Sequence, residues 1–336
     1  MIKKIIANLG IGPMSSETIE AVYRYSNFHR KQIMLIASKN QVDYSGGYVN
    51  KWTTKEYAEE LSKLRKKYSF SDVVNCRDHC GPGFNGNYNL EDTYNTIKSD
   101  IENNFDLIHI DFCHYEGTNQ ERLIESKKAF EMCKSLNEKI FIEIGTDENL
   151  GDKFSLNSLE DIEEEIDYFS SFSRPEFFVV QTGSLVMEIN QVGSFNADFS
   201  KEVSEIIKSR GIKFKEHNAD YLSSSEITKR KDIVDAMNIA PQFGVLQTGL
   251  VLNKCLAYGI NYDDWGNVII KNKKWKKWLH KNTEDNKFLC MNIAGHYHFS
   301  CDEYKRIIDK LNKHEDIAET IIESLMEVIE HYENSF

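Results

Sequence analysis

Over residues 1–260 the chain alternates eight times between a short, almost unbroken apolar run and a longer stretch with helical spacing. The runs are Lys4–Leu9, Gln32–Ala37, Val73–Cys76, Leu107–Asp111, Lys139–Ile144, Glu176–Gln181, Ile212–Glu216 and Ala236–Ala240. Apolar residues at nearly every position, rather than at every second one, mark parallel strands buried on both faces. The segments between them predict helices over Ser16–Phe28, Thr54–Tyr68, Leu90–Asn104, Gln120–Leu136, Leu159–Phe172, Asp198–Arg210, Ser224–Lys231 and Phe243–Tyr258. Eight βα units in this length predict an α/β chain folded as a (β/α)8 TIM barrel. A doubly wound sheet shows the same alternation but more often stops at about five to seven strands. Residues 261–336 break the pattern. They open with Trp265, Trp275, Lys276, Lys277 and Trp278 and end with Ile317, Ile321, Ile322, Leu325, Met326 and Ile329 at helical spacing. This predicts a C-terminal helical extension packed on the barrel or on a neighbouring subunit.

Charge and cysteine content narrow the class of function. A net charge of -12 repels nucleic acid and anionic membranes, so neither is an expected partner. It leaves room for a phosphorylated substrate, because local amides or a metal can hold a phosphate against the overall field. No apolar run approaches the ~20 residues that span a bilayer. The start of the chain, Lys3-Lys4-Ile5-Ile6, is interrupted by Asn8 and glycines and reads as the first strand rather than as a leader. Seven scattered cysteines suit a reducing cytoplasm with free thiols, so a cytoplasmic location is expected.

Active sites of TIM barrels lie at the carboxyl ends of the strands. The polar residues predicted there are Asn8, then Ser38-Lys39-Asn40-Gln41, Arg77-Asp78-His79, Asp111 with His114, Glu143 with Asp147 and Glu148, Gln181-Thr182, Glu216-His217, and Asn238 with Gln242. His79, Glu143 and His217 come from the third, fifth and seventh runs. Two imidazoles and one carboxylate suit zinc, manganese or iron and leave coordination positions open for substrate oxygens. Glu143 sits between Ile142 and Ile144, where a carboxylate is costly unless paired or metal-bound. Arg77 is the cation the sequence suggests for it, although its side chain should alternate away from Asp78. His296 and His298, in Gly295-His-Tyr-His, are weaker candidates. Ser45-Gly46-Gly47-Tyr48 and Gly81-Pro82-Gly83 are turn signals and match no phosphate loop or dinucleotide fingerprint.

Several stretches read together: Ser38-Lys-Asn-Gln-Val-Asp with Gly46-Gly47-Tyr48, Arg77-Asp78-His79-Cys80-Gly81-Pro82, Ile110-Asp111, Ile144-Gly145-Thr146 and Glu216-His217-Asn218-Ala219-Asp220-Tyr221. Along nearly the whole chain they resemble the partner subunit, often labelled non-catalytic, of class II tagatose-bisphosphate aldolase, within the wider class II aldolase superfamily. The resemblance implies a metal-dependent lyase for a ketose phosphate or bisphosphate. It implies Asp78 as the acid/base carboxylate, His79 and His217 as zinc ligands, Glu143 on or near the metal with a catalytic part, and Asn238 against the ketone half of the substrate. Asn40, Gln41, Asp111 and Gln181 would position hydroxyls, and Ser223 and Ser224 would take a phosphate. Catalytic relatives carry one more zinc histidine after the sixth strand, where this chain has Gln181-Thr182-Gly183-Ser184. Two alternatives stay open: a helper that stabilises a separate aldolase subunit, and a metal-dependent sugar epimerase. The expected cofactor is a divalent metal, Zn2+ ahead of Mn2+ or Fe2+. The expected assembly is a homo-oligomer or a complex with a second aldolase subunit.

Overall fold

The computed structural model describes residues 4–147, 158–280 and 283–336. Its centre is a closed barrel of eight parallel strands: β1 (Leu9–Ile11), β2 (Gln32–Ser38), β3 (Asp72–Cys80), β4 (Leu107–Ile110), β5 (Phe141–Thr146), β6 (Phe177–Val180), β9 (Lys213–Glu216) and β10 (Ala236–Ile239). Neighbours in sequence are neighbours in the barrel, and β10 closes it against β1 with Leu9 opposite Met237 and Ile11 opposite Ile239. Two short strands, β7 (Val186–Met187) and β8 (Asn190–Gln191), form a hairpin between β6 and the next helix that periodicity did not reveal.

Eight helices cover the barrel: α1 (Ser16–His29), α2 (Thr54–Lys67), α3 (Leu90–Glu102), α4 (Asn119–Leu136), α5 (Leu159–Ser170), α6 (Ala197–Ser209), α7 (Ser224–Arg230) and α8 (Pro241–Ala257). Their starts follow local chemistry. Thr53, Thr118 and Ser223 each accept a hydrogen bond from the backbone of a glutamate three residues on, and that glutamate's carboxylate answers the capping residue's own N–H.

The first strand differs from expectation. It was predicted over Lys4–Leu9 and forms only over Leu9–Ile11. The Gln32 side-chain carbonyl accepts the amides of Ile6 and Ala7, at 2.6 and 3.1 Å. A side chain thus satisfies backbone that would otherwise need a strand partner. Ile5 and Ala7 are buried, and with Met34, Ile36, Val74, Cys76, Leu107, Phe177 and Ala236 they fill the barrel interior away from its polar end. β3 runs four residues beyond its predicted end because it continues through an irregularity between Arg77 and Cys80.

After the barrel come α9 (Asp263–Asn272), a 3-10 turn over Lys274–Trp278, α10 (Lys287–Ala294), a second 3-10 turn over Gly295–His298, α11 (Asp302–Leu311) and α12 (Ile317–Ser335). α12 packs along α1. It buries Ile317, Ile321, Ile322, Leu325 and Ile329, each worth about 1.5–3 kcal/mol on leaving water. Arg24 pairs both its terminal nitrogens with Glu319, at 2.5 and 2.9 Å. The Tyr332 hydroxyl donates to the Ala219 carbonyl at 2.8 Å and accepts from Leu222 N–H at 3.1 Å. No helix among the described residues is long and apolar enough to cross a membrane.

Candidate metal and substrate site

Side chains of a regular strand alternate between faces, so two successive residues cannot normally serve one site. In β3 the alternation sends Val74, Cys76 and Asp78 inward and Arg77 outward. Arg77 there makes a buried bidentate pair with Asp100, at 2.7 and 2.7 Å, and donates to the carbonyls of Ala37 and Val42. It is therefore committed away from Glu143, as the alternation required. The strand then shifts register between Arg77 and Cys80, and His79 adopts φ 45°. That left-handed conformation is costly for a residue with a Cβ. Its consequence is that Asp78 and His79, though adjacent, both reach the same cavity.

Three imidazoles meet at the carboxyl ends of the strands. Ring centroids are 5.1 Å apart for His79 and His109, 5.2 Å for His79 and His217, and 5.3 Å for His109 and His217. With Asp78 they form a group in which one ligand atom of each residue lies within 4.8 Å of all the others. The His79 Nδ1 lies 2.9 Å from an Asp111 oxygen, which leaves Nε2 facing the group. The His109 Nε2 lies 3.0 Å from the Gly145 carbonyl. A carbonyl can only accept, so Nε2 carries the proton, and Nδ1 accepts the His79 backbone N–H at 3.3 Å while lying 3.3 Å from Asp78. His217 sits between two carboxylates, with Nε2 3.1 Å from Glu143 and Nδ1 3.4 Å from Asp147. His79, anchored through Nδ1 with Nε2 directed to the group, is presented as histidines are to a metal. Three imidazoles and one carboxylate make a donor set that zinc accepts. The residues present can hold a metal ion.

Charge at the group is balanced internally. Burial would raise the Asp78 carboxyl, but His79, His217 and His109 outweigh it and hold it well below the usual carboxylate range. Burial would lower the His217 imidazole, yet Asp78, Asp147 and Glu143 bring it up to about 9. His79 is raised well above its ordinary value by Asp78, Asp111 and Asp147, against the same burial. His79 and His217 therefore hold protons among the carboxylates.

Glu143 lies deeper, fully buried, and its partner is one the sequence reading did not identify. The Lys215 ammonium, 1% exposed on its side chain, lies 2.6 Å from Glu143. Lys215 in β9 and His217 just after its end both face inward, two residues apart. Burial pushes the Glu143 carboxyl up, while Lys215, His109 and His217 bring it down to about 2. Both its oxygens are engaged, one by Lys215 and one by His217, so Glu143 supports His217 from beneath the cavity.

The cavity above encloses about 480 Å³, and Asn40, Gln41, Asp78, His79, His217 and Asn238 line it. Asn238 is 4% exposed and both its amide atoms lack a protein partner, although it faces the cavity. Gly10 makes room for it: a Cβ there would come within 2.3 Å of the Asn238 oxygen. Asp111 lies behind the wall, where its carboxylate receives His79, the Thr146 hydroxyl and the Cys113 amide. Gln181 is half-buried and off the cavity lining. Ser223 and Ser224 are exposed at the start of α7, where Ser223 caps the helix, and neither lines the cavity. Glu148 lies outside the described residues.

One contribution went unread in the sequence and a second was read only in part, through His296 and His298. His109 stands between Ile108 and Ile110, opposite Glu143 in the sheet register. The cost of burying a polar side chain in an apolar strand, which singled out Glu143, applied equally to it. The second is the outer wall, built from the segment after the barrel by Lys274, Lys277, Trp278, His296, Tyr297 and His298.

No protein-family model matches this sequence, and no curated protein matches it. Solved structures do resemble it in fold. A structure described as a probable tagatose 6 phosphate kinase from Sinorhizobium meliloti 1021 superposes with a TM-score of 0.80 at 14% identity, covering 98% of this chain and 100% of that one. The fructose-bisphosphate aldolase of Campylobacter jejuni gives 0.57 at 16% identity, over 91% and 90% of the two chains. The YdjI aldolase of Escherichia coli K12 gives 0.52 at 11% identity, over 91% and 90%. This chain thus has the (β/α)8 fold that these structures share, with a cluster of three histidines and an aspartate where its strands end.

Proposed function

We propose that this chain is a metal-dependent aldolase-type carbon–carbon lyase acting on a ketose phosphate. The observation that supports it most is the convergence of His79, His109, His217 and Asp78, of which Asp78, His79 and His217 line the floor of an open cavity and His109 lies buried beside them. The resemblance in sequence leaves the chain without the histidine that catalytic relatives carry after the sixth strand. His109, from the fourth strand, supplies a third imidazole instead.

A divalent ion held by the three imidazoles, zinc ahead of manganese or iron, would supply Lewis-acid polarisation of a substrate carbonyl. The chain's own groups do the rest. Asp78 is ionised and reaches the cavity, so it is placed to take the proton from the hydroxyl whose carbon becomes the aldehyde, and to return it in the addition direction. Asn238 offers an unpaired donor and an unpaired acceptor to substrate oxygens. Asn40 and Gln41 line the same cavity and orient hydroxyls. Asp111 and Glu143 fix the imidazoles from behind.

A helper role beside a separate aldolase subunit is the second reading, favoured by Gln181 standing off the cavity where relatives have a ligand. Elemental analysis of the purified chain, followed by turnover with ketose phosphates before and after chelation, separates the two. Near-stoichiometric metal with chelator-sensitive cleavage supports the lyase. A metal-free chain that cleaves nothing alone supports the helper. A product with unchanged carbon count indicates an epimerase.

A further inference from the structure

The outer wall of the cavity differs in chemistry from its floor. The floor holds the histidines and carboxylates, whereas the wall carries two ammonium groups, Lys274 and Lys277, on a single 3-10 turn. Neither lysine has a carboxylate at ion-pair distance among the described residues. Aromatic rings lie beside them, with Lys277 4.6 Å from the Trp278 ring centre and 5.7 Å from that of Tyr297, and Lys274 5.9 Å from that of Tyr297. The turn is tied to the second wall segment by the Trp278 indole N–H, which donates to the Tyr297 hydroxyl at 3.2 Å.

An independent observation comes from His296. It is 1% exposed, it lines the cavity, and neither ring nitrogen has a hydrogen-bond partner. Buried imidazoles without partners are costly, so such a group marks a place where a ligand completes the bonding. Its seat is tightly made. A Cβ at Gly244 would stand 2.6 Å from the His296 Cβ, and the ring packs 4.1 Å from Tyr297. Burial, with Lys277 and His298 nearby, pulls its imidazole down to about 3, so it stays neutral and can donate from one nitrogen and accept at the other.

We propose that this wall seats the phosphate end of the substrate, with Lys274 and Lys277 pairing its oxygens and His296 donating to it from inside the cavity. The inference rests on the lyase reading only in naming a ketose phosphate as the molecule that carries the group. The floor would then hold the carbonyl end and the wall the phosphate end of one extended molecule. The post-barrel segment would serve as part of the binding site rather than only as a cover for the barrel. Ser223 and Ser224, exposed at the start of α7, are not needed for it.

The test is calorimetric titration of the full chain with three probes: inorganic phosphate, a ketose phosphate and the same ketose without phosphate. The wild-type chain should bind both phosphate-bearing probes, and the ketose phosphate at least about tenfold more tightly than the plain ketose. K274A/K277A should lose at least about tenfold in affinity for both phosphate-bearing probes and leave the plain ketose unchanged. Lys276 is exposed on the same turn and off the cavity lining, so K276A should match wild type. Because all three lysines are exposed, these variants should keep the wild-type circular dichroism. The inference is overturned if wild type binds no phosphate-bearing probe, if phosphate adds nothing to ketose affinity, or if K274A/K277A stays within about twofold of wild type. Failure of the lyase reading shows separately, as absent metal and absent turnover while inorganic phosphate still binds through the two lysines.

Discussion

Replacing Lys215 by methionine tests whether the pair beneath the cavity is what keeps Glu143 charged. Lys215 is the first cation acting on this carboxylate and is itself buried. The Glu143 carboxyl stands at about 2, against about 4.3 for a free glutamate, a gap worth roughly 3 kcal/mol at 1.36 kcal/mol per pK unit. Because the folded value is the depressed one, this stability is fully present above about pH 4.3 and is lost as pH falls toward 2. Lys215→Met removes the partner and leaves a buried carboxylate uncompensated, which typically costs about 3–5 kcal/mol. Urea unfolding at pH 7 should therefore show Lys215→Met destabilised by roughly 3 kcal/mol. The deficit should shrink at pH 4–5, where the unpaired carboxyl can take up a proton instead. Lys215→Met combined with Glu143→Leu should recover most of the loss, since an apolar pair of similar volume carries no charge to desolvate. A Lys215→Met chain within about 1 kcal/mol of wild type at pH 7, or a double variant no better than the single one, would refute the argument.

Other outcomes follow from the same geometry. Asp78→Asn should reduce turnover by about 10²–10⁴-fold while elemental analysis finds metal still bound; loss of the metal would make Asp78 a ligand rather than the proton carrier. His109→Ala should lower metal affinity by at least about tenfold in a chelator competition, and unchanged affinity would remove His109 from the metal site. Asn238→Ala should raise KM for the ketose phosphate by about tenfold, the cost of a charge-assisted or polar contact, with metal content unchanged. Glu143→Gln should be destabilised at pH 7, because it leaves the Lys215 ammonium unpaired, and should also loosen His217, read as weaker metal retention. Wild-type retention would confine Glu143 to pairing with Lys215.

The order of elements was legible because apolar periodicity is a local property. Parallel strands buried on both faces announce themselves as short apolar runs, and eight of them with intervening helices leave few arrangements other than a closed barrel. Polar residues at the run ends then pointed to Asp78, His79, His217 and Asn238, all of which line one cavity. Where local signals failed, a non-local contact decided. Gln32, from β2, satisfies the backbone of Ile6 and Ala7 and so shortens the first strand. The two-residue hairpin strands are too short to show a period.

The sequence by itself determined the barrel, its helical cover and the face on which the polar groups would gather, because alternation and strand polarity are written residue by residue. Only the tertiary structure decided which of those groups meet. It turned His79 inward through a left-handed residue at an irregular strand end, brought His109 from β4 to complete a triangle of imidazoles, and gave Glu143 a lysine from β9 instead of the arginine beside Asp78. It also carried a segment from some 200 residues beyond His79 across the open end of the cavity, where Lys274, Lys277 and His296 form the wall. Closure of the barrel sets distances between strands that are far apart in the chain, and pairing of buried charges depends on those distances rather than on any neighbouring residue.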